Sequence, residues 1–119
     1  MTARAATSFT VDDTGRAGVV RATGEVDAAS SGAFRGALER AVALGRPLVV
    51  VDLADVSFLD SAGLSVVFGV QRSLPVDRQL ALGNVPARML RTLRLAAVSS
   101  VVTVHPQGEP QPWSAQPAS

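Results

Sequence analysis

The chain has 119 residues, the size of one domain, and at that length it buries enough surface to need no metal or disulfide staple. It contains no cysteine and a single histidine, which fits a reducing compartment and leaves little material for metal or thiol chemistry. The formal charge is +1 and all eleven basic residues are arginine, a poor footprint for nucleic acid, whose binders cluster their basic side chains.

The first ten residues, MTARAATSFT, hold no apolar stretch of the kind a signal peptide requires. Later runs such as PLVVV and LSVVFGV fall far short of the roughly 20 residues that span a bilayer. The expectation is a soluble cytoplasmic protein with no membrane insertion, and with residues 1–7 as a flexible N-terminus. SFTVD then puts Phe9 and Val11 on one face, and GVVRAT follows the turn sequence Asp12-Asp13-Thr14-Gly15, which predicts a hairpin. In GEVDAASSGAFRGALERAVALG, Phe34, Leu38 and Val42 recur every four residues with Ala37 and Ala41 beside them, the pattern of a helix. Gly45 suits its exit and Pro47 prevents its continuation. LVVVDL is β-branched without alternation, as in a central strand covered on both faces and ending at Asp52.

From about Ser61 to Leu74, the residues Leu64, Val67, Phe68 and Leu74 make an apolar helical face, with Gln71 and Arg72 pointing elsewhere and Pro75 ending the run. RQLALGNV reads as a strand with Leu80 and Leu82 on one face. Pro86 suits the first turn of a third helix, PARMLRTLRLA, with Met89, Leu90 and Leu93 inward, and SVVTVH closes the series as a strand. The predicted order is β-β-α-β-α-β-α-β, an α/β domain whose strand-helix-strand units imply parallel pairing with right-handed crossovers in a mixed sheet. The Pro-, Gln- and Ser-rich residues 106–119, PQGEPQPWSAQPAS, are expected to form a disordered tail in which Trp113 is incidental.

The chemistry turns on Ser61, in VSFLDSAGL. A nucleophilic serine needs a base, yet His105 is the only histidine, and the residue two before Ser61 is Leu59 where the nucleophile elbow has glycine. Asp52, Asp55 and Asp60 match no calcium loop. A chain without lysine cannot hold a phosphate-binding P-loop, and it has no G-x-G-x-x-G, so neither cofactor nor metal is expected. Response-regulator receivers share the size and a strand-ending aspartate like Asp52, but they use a lysine and do not open on a hairpin. Ser61 is left as a helix cap contributing about 1 kcal/mol, or as a modified hydroxyl. Leu64 stands where a capping box would have Glu or Gln, so an optimised structural cap is not indicated. Gly63 either gives a partner backbone room to approach or relaxes the first turn. Arg88, Arg91 and Arg94 form a basic stripe read as a solvated helical face.

VVVDLADVSFLDSAGL resembles the signature of STAS domains, specifically bacterial anti-sigma factor antagonists, in which a strand ending in Asp leads through a short loop to D-S-[SA]-G-[LI] at a helix start. GEVD, residues 24–27, is similar to their G-E-[LIV]-D segment, and LALGNVPARMLRTLRLAAVSSVVTVHP to their closing strand-helix-strand. One departure is LRLAAV, where many members carry glycine after the third helix. The resemblance implies a STAS-like single domain over residues 8–105, with a four- to five-stranded sheet and helices mainly on one face. It implies a non-enzymatic switch. Unphosphorylated, the domain binds an anti-sigma factor that is also a serine kinase, and so frees a sigma factor. Phosphorylation of Ser61 releases that partner, and a serine phosphatase resets the switch. ATP and magnesium belong to the kinase. The partner-binding positions carried over are Asp27, Asp60, Ser61, Ala62, Gly63 and Leu64. An accessory STAS subunit of a lipid transporter or stress-signalling assembly, without Ser61 phosphorylation, is the alternative.

Overall fold

The computed structural model describes residues 6–114. Its first turn is built from short polar side chains. Asp13 accepts the Gly15 backbone N–H at 2.8 Å, and the Thr14 hydroxyl accepts those of Arg16 and Ala17, reversing the chain between β1 (Ser8–Asp13) and β2 (Ala17–Val26). The two strands pair antiparallel. Each later strand is joined to the next through a helix: α1 (Ser31–Ala43), β3 (Leu48–Leu59), α2 (Ser61–Ser73), β4 (Gln79–Val85), α3 (Ala87–Leu95) and β5 (Thr103–Pro106). The sheet order is β1-β2-β3-β4-β5, with every pair after the hairpin parallel. Right-handed crossovers that advance one strand at a time put all their helices on the same face.

That face holds the main core. Phe34 and Leu38 of α1, Val67 of α2 and Leu93 of α3 pack on Val20, Val49, Val51, Leu53, Leu80 and Leu82 of the sheet. Phe9 of β1 stacks on Phe34 with ring centroids 5.3 Å apart. The helical and strand faces expected from periodicity are the ones buried, with Val42, Leu64, Phe68, Leu74 and Leu90 at the margin.

Four features depart from expectation. First, β3 does not end at Asp52. It runs to Leu59 with two register shifts against β2, where Asp52–Asp55 faces Arg21–Thr23 and Val56–Phe58 faces Gly24–Glu25. Each shift inserts one extra β3 residue, so the inward positions become Leu53, Val56 and Leu59 and alternation is lost. Asp52 is a structural carboxylate inside the strand, accepting the Ala54 backbone N–H at 3.0 Å and the Asn84 side-chain amide at 3.1 Å. Second, Gln71 does not point away from the sheet, because its side-chain oxygen accepts the Leu80 backbone N–H at 3.0 Å and ties α2 to β4.

Third, the last strand begins only at Thr103, because Val98–Ser100 is a 3₁₀ turn that buries Val98. Ala97, within the LRLAAV segment that follows the third helix, sits in left-handed backbone at φ 56°. Fourth, residues 106–114 are not a loose tail. They fold back across the helix-free face, where Trp113 is 3% exposed against Ala17, Val19 and Val50. Gly83 is the socket: a Cβ there would overlap the indole ring. Gln111 anchors the segment, accepting the Asn84 N–H at 3.0 Å and donating to the Pro106 carbonyl at 2.9 Å. β3 is thus covered on both faces as expected, but on one side by this strap and not by helices. The remaining parts of the expected flexible ends, 1–5 and 115–119, lie outside the described residues.

Two substitutions test this packing in urea unfolding followed by circular dichroism. Trp113→Ala is expected to cost about 3–5 kcal/mol, the usual loss for a buried tryptophan; a cost near zero would mean the strap is not seated. Ala97→Gly is expected to stabilise by about 0.5–1 kcal/mol, since left-handed backbone costs a non-glycine residue about 1–2 kcal/mol and the added chain freedom returns part of that. Destabilisation by Ala97→Gly would contradict the left-handed turn.

Candidate functional site

β2 and β3 end side by side, with Val26 opposite Leu59, so the residues that follow them, Asp27 and Asp60, emerge at one end of the sheet. The Asp60 backbone N–H donates to the Val26 carbonyl at 3.2 Å, fixing the two exits to each other. Asp27 organises the entry to α1: its carboxylate accepts both the backbone N–H and the hydroxyl of Ser30, at 3.1 and 3.2 Å. The Ser30 hydroxyl in turn accepts the Asp27 N–H at 3.0 Å.

Asp60 itself caps α2. One carboxylate oxygen accepts the N–H groups of Ala62 at 2.9 Å and Gly63 at 3.2 Å, and its carbonyl accepts the first helical bond from Leu64 at 3.0 Å. An aspartate at this position also places negative charge at the positive end of the helix dipole. This corrects the reading of Ser61 as a possible cap. Ser61 is the first residue inside the helix, exposed, and its hydroxyl makes no hydrogen bond to any described residue.

The remaining expected site residues divide. Ala62 is half-buried beside the serine, and Leu64 packs at the margin of the core. Gly63 is buried. A Cβ there would stand 2.5 Å from Leu59 Cδ1 and 2.9 Å from Val26 Cγ1, so glycine is what lets the helix settle onto the two strand ends. Asp27, Asp60 and Ser61 are therefore brought together, while Gly63 acts from beneath.

Among the described residues no side chain is hydrogen-bonded to the Ser61 hydroxyl. His105, on β5, rests edge-on against Trp113 with ring centroids 5.2 Å apart, and no hydrogen bond links it to Ser61. Among the described residues no group of His, Asp or Glu could hold a metal ion. At the far end of β2, the side-chain hydrogen bond from Arg46, then the Gly15 N–H, hold the Asp13 carboxyl below the ordinary carboxylate range.

Sequence reasoning missed one residue at this end of the sheet. Phe58, three positions before Ser61, is 51% exposed. Strict alternation would place it on the same face as Val56, inside the core; the bulge between them turns it out. Only a β3 register that allowed for the extra residue could have revealed it.

Residues 9–103 match the family described as "Mlab, STAS domain". The chain belongs to the STAS-domain family. The resemblance read from GEVD and DSAGL, and the single α/β domain it implied, are thereby borne out. Among solved structures, this STAS domain is similar to an anti-sigma factor antagonist from Mycobacterium paratuberculosis, with a TM-score of 0.77 and 25% identity over 85% of this chain and 86% of that one. It is also similar to the anti-sigma factor antagonist SpoIIAA in its unphosphorylated form, with a TM-score of 0.59 and 25% identity over 74% and 83% of the two chains. The phosphorylated form of SpoIIAA, from Bacillus, has a TM-score of 0.61 at 23% identity over 82% and 90%, a likeness of fold. No curated protein matches in sequence. Among the described residues no helix is long and apolar enough to cross a membrane.

The capping assignment predicts a clear asymmetry between neighbours. Asp60→Ala is expected to cost about 1 kcal/mol of unfolding free energy, the ordinary loss of an N-cap. Ser61→Ala is expected to stay within about 0.5 kcal/mol of the parent, as for a surface change without a bond to lose. If chemical denaturation gave the larger loss to Ser61→Ala, the serine would be the cap after all.

Proposed function

We propose that this STAS domain is an anti-sigma factor antagonist whose unphosphorylated form binds an anti-sigma factor that is also a serine kinase, freeing a sigma factor. Phosphorylation of Ser61 by that partner breaks the complex, and a separate serine phosphatase restores it. The domain itself is not an enzyme: ATP and magnesium come with the kinase, and the exchange takes place in the cytoplasm. The observation that carries this reading is the exposed Ser61 hydroxyl, without a hydrogen-bond partner among the described residues, at the first position of a helix capped by its neighbour. The likeness to SpoIIAA, an antagonist with both an unphosphorylated and a phosphorylated form, supports it.

The geometry explains why a phosphate there acts outward. It brings about −1.5 to −2 charges and three acceptor oxygens. At many helix starts the free N–H groups would bind such an anion. Here the amides of Ala62 and Gly63 are already held by Asp60, whose own charge repels a second anion beside it. The phosphate is therefore left projecting from a patch that already contains Asp27 and Asp60. A partner surface shaped for a small hydroxyl between these carboxylates meets a bulky dianion instead. An ion trapped at an interface without compensation costs several kcal/mol, and each 1.4 kcal/mol is about tenfold in affinity.

The second reading, an accessory STAS subunit of a lipid transporter or stress-signalling assembly, uses the same surface without modification. It is kept because the matching family carries the name Mlab and not that of a sigma-factor regulator. One experiment separates the two. Immobilised wild type, Ser61→Ala and Ser61→Asp are exposed to native lysate of the source cells, and bound proteins are identified by mass spectrometry. The expected result is capture of an ATPase-type anti-sigma kinase by wild type and Ser61→Ala, lost with Ser61→Asp. Equal capture of transporter or scaffold components by all three would sink the switch and favour the accessory subunit.

A further inference from the structure

The two sides of β3 end at different points. Its pairing with β4 stops at Asp52 opposite Gly83, whereas its pairing with β2 continues to Leu59. Beyond Asp52 the second edge of β3 pairs with no strand among the described residues. The Arg88 guanidinium bridges the gap by donating to the Val56 carbonyl. Below that bridge lies a groove of about 230 Å³ lined by Ser57, Phe58, Leu59, Arg88, Met89 and Thr92.

Two properties of this groove and its flanking helix bear on a partner, although Arg88, the one arginine of the three that lines the groove, also holds the Val56 carbonyl. Phe58 is the one aromatic ring among the exposed large apolar side chains of the described residues, although its neighbours Val56 and Leu59 are buried. The flanking helix carries Arg88, Arg91 and Arg94, all exposed, with no acidic residue anywhere in Ala87–Leu95. None of the three forms an ion pair among the described residues, in contrast to Arg21 with Asp12 and Arg46 with Asp13. An exposed aromatic beside an arginine whose charge no carboxylate answers among the described residues is the composition of an interface anchor. It also adjoins the Ser61 site along the chain, since Phe58 near the end of β3 is three residues before Ser61, the first residue of α2. A stable complex needs about 800 Å² from each partner, more than the few residues around a helix start supply.

We propose that this groove is the second half of the docking surface, and that it takes an acidic segment of the same anti-sigma factor, one with an apolar side chain on Phe58 and a carboxylate on Arg88. This rests on the function proposed above. Carboxylates match the planar donor fork of arginine, and the unpaired charge along α3 selects against a basic partner segment. The groove thus adds affinity to the unphosphorylated complex, and the repulsion at a phosphorylated Ser61 outweighs it.

The test uses the serine-kinase anti-sigma factor purified after capture on Ser61→Ala. Its affinity is measured by calorimetry for the full chain carrying Phe58→Ala, Arg88→Glu, Ser61→Asp or Val76→Ala, the last fully exposed elsewhere. Circular dichroism checks that each variant is folded, and the exposed Phe58 keeps the test open if the loss of the Arg88–Val56 bond loosens the fold. Phe58→Ala and Arg88→Glu are each expected to weaken binding about tenfold or more. Val76→Ala should bind as wild type, and raising the salt should weaken wild type more than Arg88→Glu. Wild-type affinity for Phe58→Ala and Arg88→Glu, with binding lost in Ser61→Asp, would overturn the groove and leave the switch intact. Wild-type affinity for Ser61→Asp, or failure of Ser61→Ala to capture any such kinase, would overturn both.

Discussion

The carboxylate of Asp60 holding two amides at the start of α2 is the interaction on which the site depends. It satisfies donors that the helix cannot satisfy itself, and it does so from the residue immediately before the serine. Had Ser61 been the cap, its oxygen would be committed to the backbone, and modifying it would unmake a structural bond. With Asp60 in that role, the hydroxyl carries no structural duty. Under the proposed phosphorylation of Ser61, this separation between the residue that orders the site and the residue that would be altered lets a switch act without endangering a marginally stable fold.

The cap is held in place by what lies beneath it. Asp60 reaches back to the Val26 carbonyl, and the missing side chain at Gly63 lets the helix descend onto Val26 and Leu59. Both strand ends come to the same level only because β3 absorbs two extra residues on the way. Those bulges therefore serve two purposes. They carry Asp60 level with Asp27, and they turn Phe58 outward along the same edge. The opposite face of the sheet is stabilised independently by Trp113 over Gly83, far from any expected site residue.

Much of this was legible in the residues. Period-four spacing of Phe34 and Leu38, the β-branched run at Val49–Val51 and the turn at Asp12–Gly15 each correspond to the element they suggest, because in these segments local preference and burial agree. GEVD and DSAGL pointed to the family the chain belongs to, and the structure brings the two segments to one end of the sheet. What failed to show were features fixed by distant contacts. The extension of β3 past Asp52 was hidden because its bulges erase alternation. The burial of Trp113 was hidden because a Pro- and Gln-rich segment has the composition of a loose tail, and only the socket above Gly83 gives its single ring a place. The capping role went to Asp60 and not Ser61 because a boundary shift of one residue decides it, and sequence patterns place helix ends no better than that.

The central claim is that phosphate on Ser61 acts on what the domain meets and not on how it folds. The most direct measurement compares backbone amide spectra of the isolated domain with serine and with phosphoserine at position 61. The expected changes are confined to Asp60–Leu64 and the adjoining end of β2 around Asp27, with the Trp113 indole signal unmoved. Shifts spread through the sheet, α1 and α3 would show that the modification refolds the domain, and would contradict the division of labour between Asp60 and Ser61.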